Sequence, residues 1–475
     1  MKFTFLFFTI LLCFSITCFG QEDKPLVLQE IPLQFEYDND LLPAEFFAKN
    51  RQAVRDKMPA NSVAVFFANP VRNRSNDVDF EYHQDPNFYY LTGLREPNAM
   101  LVIYKDQQHF GNEISTKEIL FLQKRNQKNE QWTGKRLGID GALNFLKVET
   151  AIETQNFASF EAEFNTFDNI FVFQIPEDIR TSKEKDDLYT LIKLFNLKTE
   201  SSSDKIDNVL LGSILAGLRQ IKTKEEIILL RKAIDITCDA QIELMRSLKT
   251  GMKEYESEAI VEYFFKKNGA EYPGFPSILG SGENSCVLHY TSNRKILGEN
   301  DLLVSDIGAE YHGYTADVTR TMPANGKFSE EQKIIYNIVL EAQQAGIDAC
   351  KKGNKFWDPH QAATDIISTH LLKLGIIDKK YNVRKYFMHG TSHYLGLDVH
   401  DAGLYGLLEP GNVITVEPGI YIPEGSDCDP KWWNIGIRIE DDILITDGEP
   451  EVLSAKAPRK IEEIEALMKE KGSFE

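Results

Sequence analysis

LLVSDIGAEYHGYTADVTRT, residues 302–321, reads as two short apolar strands, 302–308 and 313–321, folded over a turn near Tyr311, His312 and Gly313. Folding about the midpoint of Tyr311 and His312 sets Asp306 directly opposite Asp317. Opposed residues on paired strands share a face, with Cβ atoms about 5 Å apart. Two carboxylates that close repel, and in a partly dry site both stay ionised only beside a cation. One divalent metal, or a pair about 3.5–4 Å apart, resolves the repulsion. A wet hairpin edge, where acids are harmless, is the alternative that this stretch by itself leaves open.

The pattern recurs downstream. Residues 300–308, NDLLVSDIG, can be laid over 411–419, GNVITVEPG. In both, an apolar strand delivers an acid two residues before a glycine, so Asp306 matches Glu417. Helices precede each copy and more strand follows it, which suggests two related halves meeting at one site. Three of the nine histidines, His389, His393 and His400, fall within HGTSHYLGLDVHD, residues 389–401. A lone histidine is usually a satisfied core or surface residue, but three interleaved with glycine and small residues point to a functional set. Farther on, NIGIRIEDDILI, residues 434–445, alternates sides as a strand. Ile435, Ile437 and Ile439 take one face, and Arg438 and Glu440 the other. An acid beside an arginine on an inward face is either a buried ion pair or a ligand with its supporting partner.

If Asp306, Asp317, Glu417, Glu440 and His393 converge, four carboxylates and a neutral imidazole carry −4, which two divalent cations balance. Oxygen-rich ligation with one nitrogen suits Mn2+, Zn2+, Co2+ or Fe2+ and excludes a soft-metal site. A two-metal centre makes a hydroxide nucleophile near neutral pH and polarises a carbonyl, so hydrolysis is the matching chemistry. The residues thus point to a dinuclear metallohydrolase and to no particular substrate.

Around this constellation lies a chain of 475 residues, 42% hydrophobic, long enough for two or three domains. A net charge of −19 argues against a nucleic-acid surface and favours solubility. Lys2, an apolar run over 3–19 and then Gly20 and Gln21 make the pattern of a secretory signal peptide cleaved after Gly20. An uncleaved anchor or a lipoprotein acylated at Cys18 are the alternatives. The mature protein is therefore expected to be exported, periplasmic or secreted. Cys13 and Cys18 leave with the signal. Cys238, Cys286, Cys350 and Cys428, widely spaced and without a CxxC pair, make neither a disulfide scaffold nor a thiolate metal site.

Before residue 200, a helix from Ala44 and strands at 62–68, 99–105, 118–124 and 169–175 suggest a mixed or parallel sheet covered by helices. This half shows no ligand cluster, phosphate loop or nucleophile motif. Charged and serine-rich 180–205 marks a composition shift. Helices are expected over 224–249, 254–268, 329–351 and 360–374. The expected organisation is α/β (α+β), with a signal peptide over 1–20, a mixed-sheet N-terminal domain over 21–200, a linker over 201–220 and a catalytic domain over 221–475.

Residues 389–401, together with SDIGAEYHGYTADVTRT, ITVEPGIYI and GIRIEDDI, resemble the metal-ligand blocks of the aminopeptidase P and prolidase group of pita-bread metallopeptidases. The resemblance covers about 221–446 and fills every ligand position. It implies a catalytic domain of two pseudo-twofold-related halves holding two divalent ions, Mn2+ first, with Zn2+, Co2+ or Fe2+ as alternatives. Carried over by position, Asp317 and Glu440 would bridge both metals, Asp306 would serve one, and His393 and Glu417 the other. Glu417 would also shuttle a proton from the attacking water to the leaving imino nitrogen. His289, His389 and His400 would line the substrate pocket and stabilise the tetrahedral intermediate, with Arg438 supporting the Glu440 strand. In the N-terminal half, DFEYHQDPNFYYLTGLREPNAMLVI and WTGKRLG resemble the aminopeptidase P branch. That branch implies removal of an N-terminal residue preceding proline from peptides, by a homo-oligomer (dimer or tetramer). Prolidase action on Xaa-Pro dipeptides is the alternative. A metal-free binding protein or a creatinase-like amidinohydrolase on the same fold predicts a replaced ligand, and none is replaced. Proline-containing peptides are the expected partners, with no nucleic acid and no membrane beyond the signal.

Overall fold

The computed structural model describes residues 38–111, 114–173, 175 and 183–474. The expected signal peptide, with Cys13 and Cys18, lies outside them. Ser62–Phe67, SVAVFF, is buried along its whole length. It pairs antiparallel with Met100–Phe110 on one edge and parallel with Asn169–Phe173 on the other. Ile114–Leu122, Thr150–Glu153 and Ile206–Asp207 complete a six-stranded mixed sheet. Alternation sends Val63, Val65 and Phe67 into a core with Phe157, Phe164 and Phe195. Ala64 and Phe66 face the opposite way, toward helix Ala44–Lys57 and a core that continues into the catalytic domain.

The segment expected as a linker is folded. Ile206–Asp207 is the last strand of the N-terminal sheet, and Leu210–Arg219 is a helix that buries Leu211, Ile214, Leu215 and Arg219. Apolar residues three and four apart give it a stripe to bury, so it acts as a strut between the domains. Among the described residues, no helix is long and apolar enough to cross a membrane, and Cys238, Cys286, Cys350 and Cys428 are free thiols.

The catalytic domain is built on two hairpins, each preceded by a helix pair: Lys224–Ser247 and Glu254–Lys267, then Glu330–Asp348 and Asp358–Lys373. Reciprocal capping boxes start the first helix of each pair, at Thr223 with Glu226 and at Ser329 with Gln332. The first hairpin turns one residue later than its sequence pattern predicts. His312 and Gly313 both have positive φ, 50° and 86°, the two-residue turn whose twist suits paired strands. Tyr311 therefore pairs with Tyr314, and Asp306 with Thr319 instead of Asp317. A slip of two residues keeps parity, so Asp317 stays on the Asp306 face as a diagonal neighbour. Gly308 lies at the bend, where an added Cβ would come within 1.8 Å of the Ala316 carbonyl oxygen. The Gln241 amide braces the same bend, donating to the carbonyls of Ser305 and Val318 at 2.9 and 2.8 Å.

In the second hairpin Val413–Val416 pairs with Asp441–Leu444 and Gly419–Ile422 with Ile435–Arg438. One register runs through both pairs, so Glu417 stands opposite Glu440. The single alternating strand expected over 434–445 is broken at Ile439 and Glu440. There the Glu440 N–H leaves its own hairpin and donates to the Thr319 carbonyl of the first, 3.1 Å away. That bond joins the two halves beside their acids.

The N-terminal domain grips the tip of the first hairpin. His312 meets Asp40 at 2.8 Å, His83 meets Glu310 at 2.9 Å and Arg95 meets Glu271 at 3.1 Å. The Tyr311 hydroxyl also donates to Asp40 at 2.7 Å.

Candidate metal centre

All nine residues singled out from the sequence line one cleft of about 640 Å3: His289, Asp306, Asp317, His389, His393, His400, Glu417, Arg438 and Glu440. Asp306 comes from the strand end before Gly308, and Asp317 from just beyond the first bend. Glu417 and Glu440 come from the facing breaks of the second hairpin. His393 is tied to that hairpin through its backbone, its carbonyl accepting from the Thr415 N–H at 3.0 Å and its N–H donating to the Thr415 hydroxyl at 3.2 Å.

His393 Nε2 lies 3.4 Å from Asp317 Oδ2 and 3.5 Å from Glu417 Oε1. Its Nδ1 donates to the Tyr394 carbonyl at 3.1 Å, a contact that turns Nε2 toward the acids. Asp317, His393 and Glu440 offer ligand atoms that all lie within 4.8 Å of one another. Glu417 Oε2 in turn lies 3.5 Å from His389 Nδ1. Arg438 donates to Asp306 Oδ2 at 2.6 Å, to the Tyr421 hydroxyl at 2.8 Å and to Thr319 Oγ1 at 3.2 Å. The Thr319 hydroxyl donates to Glu440 Oε2 at 2.7 Å.

The oxygens left over test whether a cation fits. Asp306 Oδ1, Asp317 Oδ1 and Glu440 Oε1 are buried with no hydrogen-bond donor. A buried acceptor without a partner costs about 1–3 kcal/mol, and three such carboxylate oxygens on one cleft wall call for positive charge. Hard oxygens with one imidazole nitrogen fit divalent ions of the Mn2+ to Zn2+ series.

In the metal-free protein, burial and then repulsion from Asp306 hold Asp317 well above the usual carboxylate range. Burial and then Asp317 and Glu417 do the same to Glu440. Glu417 is raised to about 7 by burial, against the pull of His393 and Arg438. Burial and then Arg438 push the His389 imidazole down to about 4, and burial with His393 and His289 lowers His400. Both imidazoles are therefore neutral near pH 7, and the one N–H of His389 is engaged, with Nδ1 donating to the Gly390 carbonyl at 2.7 Å.

Sequence reasoning passed over several supporting residues. Thr319 links Glu440 to Arg438. Tyr421 accepts from Arg438 and lies 2.9 Å from His389 Nε2. Asp442 accepts the Asp317 N–H at 3.2 Å. Fully buried Arg320 donates to the Glu440 carbonyl at 2.6 Å and to Asp441 at 2.7 Å. The second acid of the Asp441-Asp442 pair, buried in a strand, was the one available signal, because an unpaired carboxylate has no place in a core.

Carboxylates and an imidazole facing one another around a partly dry cleft define a hydrolase that works through divalent metal ions. Residues 228–447 match metallopeptidase family M24, and residues 47–170 match the aminopeptidase P N-terminal domain. The chain is 37% identical to the Xaa-Pro aminopeptidase of Escherichia coli K12 over 438 residues, 89% of this chain and 97% of that one. The solved Pseudomonas aeruginosa aminopeptidase PepP aligns with a TM-score of 0.80 at 34% identity, over 90% of this chain and 98% of its own. Escherichia coli aminopeptidase P with the inhibitor Pro-Leu aligns with a TM-score of 0.80 at 36% identity, with the same coverage. The chain belongs to metallopeptidase family M24, in its aminopeptidase P branch.

Proposed function

We propose that the chain is a metal-dependent exopeptidase that hydrolyses the bond between the N-terminal residue of a peptide and a following proline. One observation carries the reading: Asp306, Asp317, His393, Glu417 and Glu440 face one cleft and leave three buried carboxylate oxygens without donors. Asp306, Asp317, His393, Glu417 and Glu440 would together hold two divalent ions, with Asp317 and Glu440 shared between them. Two divalent ions bound there supply a water-derived nucleophile at neutral pH and polarise the scissile carbonyl. Manganese is the ion we favour, since the set is oxygen-rich.

The chain's own groups do the rest. Glu417 takes the proton of the attacking water and delivers it to the proline nitrogen, which has no hydrogen of its own and cannot leave unprotonated. Its place between His393 and His389 supports that role. His289, His389 and His400 line the substrate pocket and in this proposal stabilise the oxygen that gains charge in the tetrahedral state. Arg438 holds Asp306 and, through Thr319, orients Glu440.

The aminopeptidase choice over prolidase is supported by the N-terminal domain match and by relatives named Xaa-Pro aminopeptidase. Side-by-side hydrolysis of Xaa-Pro-Xaa tripeptides and Xaa-Pro dipeptides by the Mn2+-loaded protein tests it. Cleavage of the tripeptide is expected, and cleavage of dipeptides alone makes the protein a prolidase. We further propose an exported mature chain that begins at Gln21, with an N-terminal domain through the strand Ile206–Asp207 and a catalytic domain from 221, acting as a homo-oligomer.

A further inference from the structure

Large apolar side chains stand exposed on one lip of the cleft. Trp357 is 56% exposed and Met388 48%, and Tyr405 and Leu407 are exposed as well. The Phe356 ring lies 4.7 Å from that of Tyr405, and Leu407 bridges antiparallel to Lys355. The Trp357 ring packs against His360, with centroids 6.2 Å apart. Its edge is the one atom within 4 Å of where Gly390 would carry a Cβ. Gly390 lines the cleft, so the apolar shelf begins where the cleft ends. Neither backbone strain nor crowding demands a glycine at 390, and its lack of a side chain leaves the passage onto the shelf open. On a chain carrying −19, large apolar side chains left exposed beside a cleft mark a binding face.

The direction of the bound peptide rests on the proton role proposed above for Glu417. Glu417 Oε2 lies 3.5 Å from His389 Nδ1. The nitrogen that receives its proton, and all of the peptide after it, then lies on the His389 side. From His389 the chain passes to Gly390, whose neighbour is the Trp357 ring. We propose that this shelf binds the residues following the proline, and that Trp357 sets a preference for peptides with apolar side chains there. At about 3.3 Å per extended residue, the first two positions after the proline span it.

The test compares Ala-Pro-Leu-Phe with Ala-Pro-Gly-Gly as substrates of the metal-loaded full chain. The wild-type protein is expected to favour the first by about tenfold in kcat/KM, through KM, as contacts made equally in ground and transition states do. Trp357→Ala is expected to bring that ratio close to one, and Trp357→Phe to keep most of it. A wild-type ratio near one, or a ratio that Trp357→Ala leaves in place, overturns the shelf while the proline-directed activity stands. Hydrolysis of neither peptide overturns both. Light scattering on the same variants supplies a second check. A change of molar mass on Trp357→Ala means that a second copy of the chain covers the surface, and it overturns the proposal as well.

Discussion

Asp317→Asn separates the metal centre from an ordinary acidic cluster through stability as well as activity. Asp317 and Glu440 present oxygens within 4.8 Å of each other. Two unit charges at that distance repel by about 3 kcal/mol at an effective dielectric constant of about 20. Protonating one of them at pH 7 instead costs about 4 kcal/mol, starting from an ordinary carboxylate pKa near 4. Either way the metal-free wild type carries a penalty, and the substitution removes it. The metal-free variant is therefore expected to be more stable than the metal-free wild type, by up to about 3 kcal/mol. With metal the order inverts, because ions that bind only the native state stabilise the wild type by mass action. The variant, one anionic ligand short, is expected to hold no stoichiometric metal and to lose peptide hydrolysis. The raised carboxylates also fix a sign. The metal-free native state holds protons that the unfolded chain has released, so its stability falls as pH rises above about 4. Thermal melts with and without chelator, elemental analysis and tripeptide hydrolysis read the three effects. A variant that keeps wild-type metal content and rate, or whose metal-free form melts no higher than the wild type, refutes the reasoning.

Other outcomes follow from the supporting residues. Thr319→Val removes the hydroxyl between Glu440 Oε2 and Arg438 Nε. It is expected to weaken metal binding by about 10–100-fold, read by metal titration, with Thr319→Ser restoring it. His83 is raised by its hydrogen bond to Glu310, against burial. His312 is raised by Glu271 and Asp40, although burial is the largest influence and opposes them. Histidines of raised pKa stabilise fully below their unfolded value near 6.5, and that contribution is lost as pH rises through the folded pKa. Melts of His83→Gln between pH 5.5 and 8.5 should show a flatter fall than the wild type, and an unchanged profile rejects the seam as its source. N-terminal sequencing of the protein recovered from its exported fraction should begin at Gln21, and a chain still starting at Met1 rejects the signal peptide.

The parts of this chain that were legible in sequence are those with a local cause. Ser62–Phe67 declares itself because a fully buried strand must be apolar on both faces. Helix starts at Thr223 and Ser329 carry capping boxes that need only three residues of context. The acids were legible because charge at the end of an apolar strand has no structural reason to be there. Register was not legible. The turn at His312 relies on a left-handed backbone whose N–H donates to Glu271, 41 residues away, and no local pattern announces that. Thr319 and Tyr421 were passed over for a related reason. A threonine or tyrosine in a strand looks like good strand chemistry, and only the meeting of the two hairpins puts Thr319 against Glu440.

That meeting also explains why an error of two residues in register left the site intact. The face a strand residue takes depends on parity, so Asp306 and Asp317 share a side whether they are opposed or diagonal. The second hairpin has its acids in register, Glu417 opposite Glu440, and the first does not. The offset places Thr319, not an acid, opposite Asp306, and Thr319 is the residue that carries Glu440 across to the first half. An in-register pair in both halves would set four carboxylates around the cleft with no hydroxyl between them to orient Glu440. The departure from symmetry follows from the His312–Gly313 turn, and Asp40, His83 and Arg95 of the N-terminal domain hold that turn in place. A domain without a single ligand thus helps set the geometry of the metal centre, because a hairpin's register is fixed by its turn.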